Sequence, residues 1–168
     1  LTTEGDPQDD ITFRAAMKSL IAERWEQVWE ATPVAIEGTD PEGVHDVRVA
    51  SRRLRAAMDV AADAFPQDWY PPLHKLAKKI TRELGAVRDR DVLIDSLQAD
   101  RASAPPEEWP GIDLVIARIE RERVEARAEM EAFLRGLDAS GAIEESRRRF
   151  GEEDRAKSKP REPKGKNR

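Results

Sequence analysis

Apolar residues recur along this chain at intervals of three and four, and no stretch alternates with the period of two that a half-buried strand requires. The pattern predicts a helix from about Asp9 to Ala31. Asp9 or Asp10 is its N-cap, and Ile11, Ala15, Leu20, Ile21, Trp25 and Val28 form its apolar face. It is expected to stop at Thr32-Pro33, because proline disfavours a helical residue before it. After the turn Glu37-Gly38-Thr39-Asp40-Pro41, a second helix is predicted from Pro41 to Ala64, capped by Asp40. Trp69-Tyr70-Pro71-Pro72 reads as a connector, followed by a third helix from Pro72 to Leu84 with Gly85 as its stop. A short fourth segment spans Val87 to Gln98, and Ser103-Ala104-Pro105-Pro106 is a loop.

A long helix is then predicted from Gly111 to Asp138. Its stripe is Ile112, Val115, Ile116, Ile119, Ala126, Met130, Phe133 and Leu137, and Arg121/Glu125 and Arg127/Glu131 are candidate i,i+4 ion pairs. A weaker segment, Ala142 to Phe150, precedes a tail that carries 7 basic residues and 1 acidic residue between Arg155 and Arg168. The fold class is therefore all-α, an antiparallel bundle of about four to five helices. The division is a flexible N-terminus over 1–8, the bundle over 9–150 and a basic disordered tail over 151–168.

Charge changes this picture. The 168 residues carry a formal net charge of −5, which by itself opposes a polyanionic partner. Its distribution points the other way. Residues 1–43 carry net −7, residues 44–90 carry +4 and residues 91–168 carry −2, so a basic island lies inside an acidic chain. On a helical wheel His45, Arg48, Arg52 and Arg55 share an arc of about 80°, opposite the apolar residues of the same helix. Lys75, Lys78, Lys79 and Arg82 repeat the arrangement over about 100° on the next helix. Two such rows can frame a groove with cations on both walls, arginine offering a planar fork to phosphate oxygens and lysine a mobile point charge. A solvated amphipathic helix also shows charge opposite its apolar stripe. Physics alone leaves the two readings even, although like charges at i,i+4 (Arg48/Arg52, Lys75/Lys79) do not stabilise a helix. His45 on its own reads more simply as a structural hydrogen-bonder, and His74 lies nearer the apolar side. Arg88 is expected to face the site with Asp91 as its helper.

Other chemistry is sparse. There is no phosphate-binding glycine loop, dinucleotide fingerprint or zinc-protease motif, and two histidines without cysteine make a poor transition-metal site. No catalytic residue, metal or cofactor is expected, so the role is read as non-enzymatic. No apolar run approaches membrane-spanning length and the polar, acidic start does not read as a signal peptide, so neither a membrane nor a secretory role is expected.

The stretch Val44-His45-Asp46-Val47-Arg48-Val49-Ala50-Ser51-Arg52-Arg53-Leu54-Arg55, followed by Leu84-Gly85-Ala86-Val87-Arg88-Asp89-Arg90-Asp91-Val92, resembles the CHAD family, the conserved-histidine α-helical domains. The resemblance implies an all-helical fold of two similar bundles around a basic groove, and binding of inorganic polyphosphate. Carried over by position, His45, Arg48, Arg52 and Arg55 would contact phosphate, Lys75, Lys79, Arg82 and Arg88 match later basic positions, and Arg53 matches the motif from beside the main row. The chain resembles the N-terminal half of a full domain, so a homodimer that completes the pseudo-two-fold arrangement is expected. The implied location is cytoplasmic, in association with polyphosphate granules. Two alternatives stay open. One is a nucleic-acid-binding helical module, disfavoured by the acidic total and by the lack of aromatics among the basic residues. The other is an accessory subunit of an enzyme that processes polyphosphate or triphosphate.

Overall fold

A computed structural model describes residues 7–151. Among the described residues five α-helices follow one another: α1 (Pro7–Glu37), α2 (Gly43–Val60), α3 (Tyr70–Ser103), α4 (Trp109–Ala139) and α5 (Ala142–Phe150), with a 3₁₀ turn at Pro106–Glu108. The first four pack as sequential antiparallel neighbours, and α5 folds back against α1 and α4. The all-α class read from the periodicity is the one observed. Pro7 and Gln8 already belong to α1, and most of the expected flexible N-terminus and basic tail lies outside the described residues.

Helix α1 buries Met17, Ile21, Trp25, Val28, Trp29 and Ala35 on one face, whereas the expected Ile11 and Ala15 are exposed. The short α2 explains the difference. At about 1.5 Å per residue its 18 residues cover about 27 Å, too little to reach the first turns of a 31-residue partner. The expected stop at Thr32-Pro33 does not occur. Pro33 removes one backbone donor, but the Thr32 hydroxyl bonds the Val28 carbonyl at 2.7 Å and the Arg127 guanidinium of α4 donates to the Ala35 carbonyl at 3.1 Å. Ala35 and Ile36 pack against the core beyond the proline, so tertiary burial carries the helix through it. The stop is Gly38, at φ 73, whose N–H bonds the Val34 carbonyl at 3.1 Å.

Helix α2 starts two residues later than expected and ends four residues earlier, at Val60. The cap is Glu42, without a side-chain bond, and not the expected Asp40, whose Oδ1 accepts the Glu42 N–H at 2.9 Å in the turn before the helix. Gly43 lies against the Val34 backbone, where a Cβ would come within 3.1 Å, so its small size sets how closely α1 and α2 approach.

The main departure from the sequence reading is α3. Most of the connector, the third helix and the fourth segment are one helix of 34 residues, with Trp69 as its N-cap and Pro71 and Pro72 in its first turn, where their missing N–H groups leave no helical bond unmade. Gly85 is buried inside it and does not stop it. Leu73, Ala77, Ile80, Leu84, Val87 and Ile94 keep one apolar stripe running past the glycine, and that burial outweighs a penalty of about 1 kcal/mol for glycine in a helix. The last turns of α3 and the first turns of α4 extend beyond α2 as a two-helix arm. Ion pairs Arg90–Glu122 (3.6 Å), Asp91–Arg123 and Arg101–Asp113 (2.5 Å) tie it together.

Helix α4 starts two residues before the expected Gly111. Ile116, Ala126, Met130, Leu134 and Leu137 are its buried stripe, while Val115 is exposed. Arg127 pairs with Glu131 at 2.9 Å as expected, but Arg121/Glu125 does not form and Arg118 pairs with Glu122 instead. Helix α5 has the expected limits. Its Phe150 joins Phe65, Trp69 and Tyr70 in an aromatic cluster with ring centroids 5.1–6.1 Å apart. Ser146 accepts the Trp29 indole N–H at 3.0 Å.

Candidate anion-binding site

The α2–α3 seam decides where the basic rows lie. Five contacts fix its antiparallel register. Arg48 crosses over Gly85, its guanidinium 3.8 Å from where a Cβ would stand, and reaches Asp89 at 3.5 Å. The Thr81 hydroxyl donates to the Ser51 hydroxyl at 3.2 Å. Lower down, Asp59 meets Lys78 at 3.7 Å and His74 at 2.6 Å. These contacts put Arg52 level with Arg82, so the two rows face outward on either side of one seam. From Arg48 to Asp59 the track is about 16 Å long.

Arg48, Arg52, Arg55, Lys75, Lys78, Lys79 and Arg82 line this track, with Asp59 and Asp89 as carboxylates set into it. Arg52 and Lys75 are exposed and have no ion-pair partner among the described residues. Arg82 is 74% exposed and leans on Glu83 at 3.0 Å. Lys79 tilts towards α4, its ammonium 4.8 Å from the Phe133 ring centroid. His45 is half-buried in the first turn of α2, next to Arg48 and Arg52 on the wheel. Arg53 is exposed, but one residue on from Arg52 it is turned away by about 100°.

Arg88 and Asp91 are not brought to the track. Because α3 is unbroken, Arg88 is turned roughly 120° from Arg82. It lines a cleft of about 460 Å³ with Pro41, Glu42, Asp95, Glu120 and Arg123. Asp91 is committed to Arg123 of α4. Asp89, not Asp91, is the carboxylate on the row.

His74 is the residue that sequence reasoning undervalued. Its ring is held by Asp59 and by the Tyr70 ring at 5.9 Å, and Tyr70 is itself fixed by donating to the Met58 carbonyl at 2.8 Å. A partner on another helix created this role, and wheel position alone gave no signal of it. Burial, together with the Asp59 charge, pushes the Tyr70 phenol well above its ordinary value, so it stays a donor. The remaining enforced shifts lie away from the track. A hydrogen bond from Arg147 lowers Glu26 at the α1–α5 contact, and bonds from Arg149 and Arg148 lower Glu145.

Chemically, the track offers forked and point-like donors over an extended open surface. A cleft of about 730 Å³ between α1, α4 and α5, lined by Trp29, Ile36, Leu134 and Ile143 among others, contains none of the row residues. Among the described residues no group of three or more His, Cys, Asp or Glu side chains is placed to hold a metal ion. No described helix is long and apolar enough to cross a membrane.

A family model described as the CHAD domain matches residues 19–166. The chain belongs to the CHAD domain family. No curated protein and no solved structure matches it. In this CHAD domain the His45-to-Arg55 motif forms one wall of the track. The Leu84-to-Val92 motif does something different at each position: Gly85 lies beneath Arg48, Asp89 pairs with it, and Asp91 anchors α4. The family is commonly linked to polyphosphate and triphosphate binding.

Proposed function

We propose that this CHAD domain binds inorganic polyphosphate along the α2–α3 track and acts by binding rather than by turnover. The observation that carries the reading is the pair of basic rows on one seam, in which Arg52 and Lys75 are exposed and lack any carboxylate partner among the described residues. Packing is no reason for such rows, since like charges repel along a helix. A linear polyanion compensates them along their whole length. Arginine forks hold two oxygens each while the lysines follow the chain as it shifts. An open track also suits a flexible ligand of indefinite length better than an enclosed pocket does.

The same reading gives the domain a role at polyphosphate granules, where many such tracks can engage one long chain. We propose a second copy as its protein partner. Leu114 (71% exposed) and Val124 (66% exposed) on α4 give the arm apolar surface for that contact. The test of ligand class is direct competition. Polyphosphate displaces a labelled single-stranded oligonucleotide from the track at far lower phosphate concentration than the reverse. Equal displacement in both directions overturns the polyphosphate assignment, and so does release of orthophosphate from the bound chain for the claim of binding without turnover.

A further inference from the structure

One carboxylate sits where the polyanion would have to lie. Asp59, near the C-terminal end of α2, is approached by three side chains at once: His74 at 2.6 Å, Lys78 at 3.7 Å and Arg55 at 3.8 Å. The three contacts differ in kind. His74 makes a hydrogen bond, and its side chain is only 14% exposed. Arg55 and Lys78 are 46% and 54% exposed, and their contacts are longer than hydrogen bonds. Asp59 is therefore held by the fixed ring while it draws two mobile cations of the track towards itself.

We infer that Asp59 is an internal competitor for the polyanion at this end of the track, held in place by its hydrogen bond with His74. The inference rests on the polyphosphate reading. The Asp59 charge is directed at Arg55 and Lys78, and an incoming phosphate has to displace it before it can engage those two cations.

The experiment is calorimetric titration of medium-chain polyphosphate into wild type and Asp59→Asn at pH 8, with circular dichroism to confirm folding. Asp59→Asn is expected to bind about 3- to 10-fold tighter than wild type, the effect of freeing two exposed ion pairs. Asp59→Asn binding no tighter than wild type overturns the inference, because Asp59 would then be positioning Arg55 and Lys78 for the ligand. Wild type that does not bind defeats the polyphosphate reading itself, and the inference falls with it.

Discussion

Gly85 gives a test of how α3 and the track are built together. Inside a continuous helix the residue has ordinary helical geometry, and a Cβ there would meet only Arg48, at 3.8 and 4.0 Å, which is normal van der Waals contact. Gly85→Ala should then stabilise the protein, because alanine removes the conformational freedom that glycine has in the unfolded chain and fits without strain. The gain is about 0.5–1 kcal/mol. For a chain of this size that is a rise in Tm of roughly 1–4 °C. Urea denaturation followed by far-ultraviolet circular dichroism measures it, and polyphosphate affinity should stay within about twofold. Gly85→Leu separates packing from propensity: leucine is a better helix former than glycine, but its side chain occupies the path of Arg48. That variant should keep its helix content and lose affinity. If Gly85→Ala instead destabilises by about 1 kcal/mol or more, the glycine is a left-handed stop and the single long α3 is wrong.

Gly38 should behave in the opposite way. At φ 73, with Arg127 packed against it, Gly38→Ala incurs about 1–2 kcal/mol of backbone strain as well as the displacement of Arg127, read as a lower urea midpoint. Glu26→Gln removes the two-pronged contact with Arg147 (2.8 and 2.9 Å) and should cost about 0.2–1 kcal/mol, the range for a largely exposed pair. The folded Glu26 carboxyl titrates below its ordinary value, so this contribution is present above about pH 4.3 and is lost as pH falls through the folded value. Wild type and Glu26→Gln should therefore converge in stability in strong acid; a gap that widens there would contradict the assignment. Trp29→Phe removes the indole N–H bonded to Ser146 and should loosen α5 by about 0.5–1.5 kcal/mol, seen as faster amide exchange across Ala142–Phe150.

What could be read from the sequence was local. The apolar face of α2, the limits of α5 and the two rows of cations follow from spacing within single helices, and the structure retains all three. The errors arose where a neighbouring helix decides the outcome. Pro33 reads as a stop until Ala35 and Ile36 are seen to pack into the core beyond it. Gly85 reads as a stop until the stripe of Ile80, Leu84 and Val87 is seen to stay buried on both sides of it. Breaking α3 at Gly85 then lost the register of everything after it, which is why Arg88 and Asp91 were grouped with a track that they face away from. His74 shows the same dependence in reverse: its wheel position suggested packing, and Asp59 on another helix makes it polar.

The central claim is that the α2–α3 track is a polyphosphate site, and calorimetric titration at about 0.15 M salt tests it most directly. Wild type and Arg48→Ala/Arg52→Ala are compared over a series of salt concentrations. The account predicts that the double variant stays folded, loses at least about tenfold in affinity, and shows a shallower salt dependence by roughly 1.5 to 2 in slope, one increment for each lost phosphate contact. Equal affinity and equal slope for the two proteins would place the binding elsewhere on the chain and contradict the account.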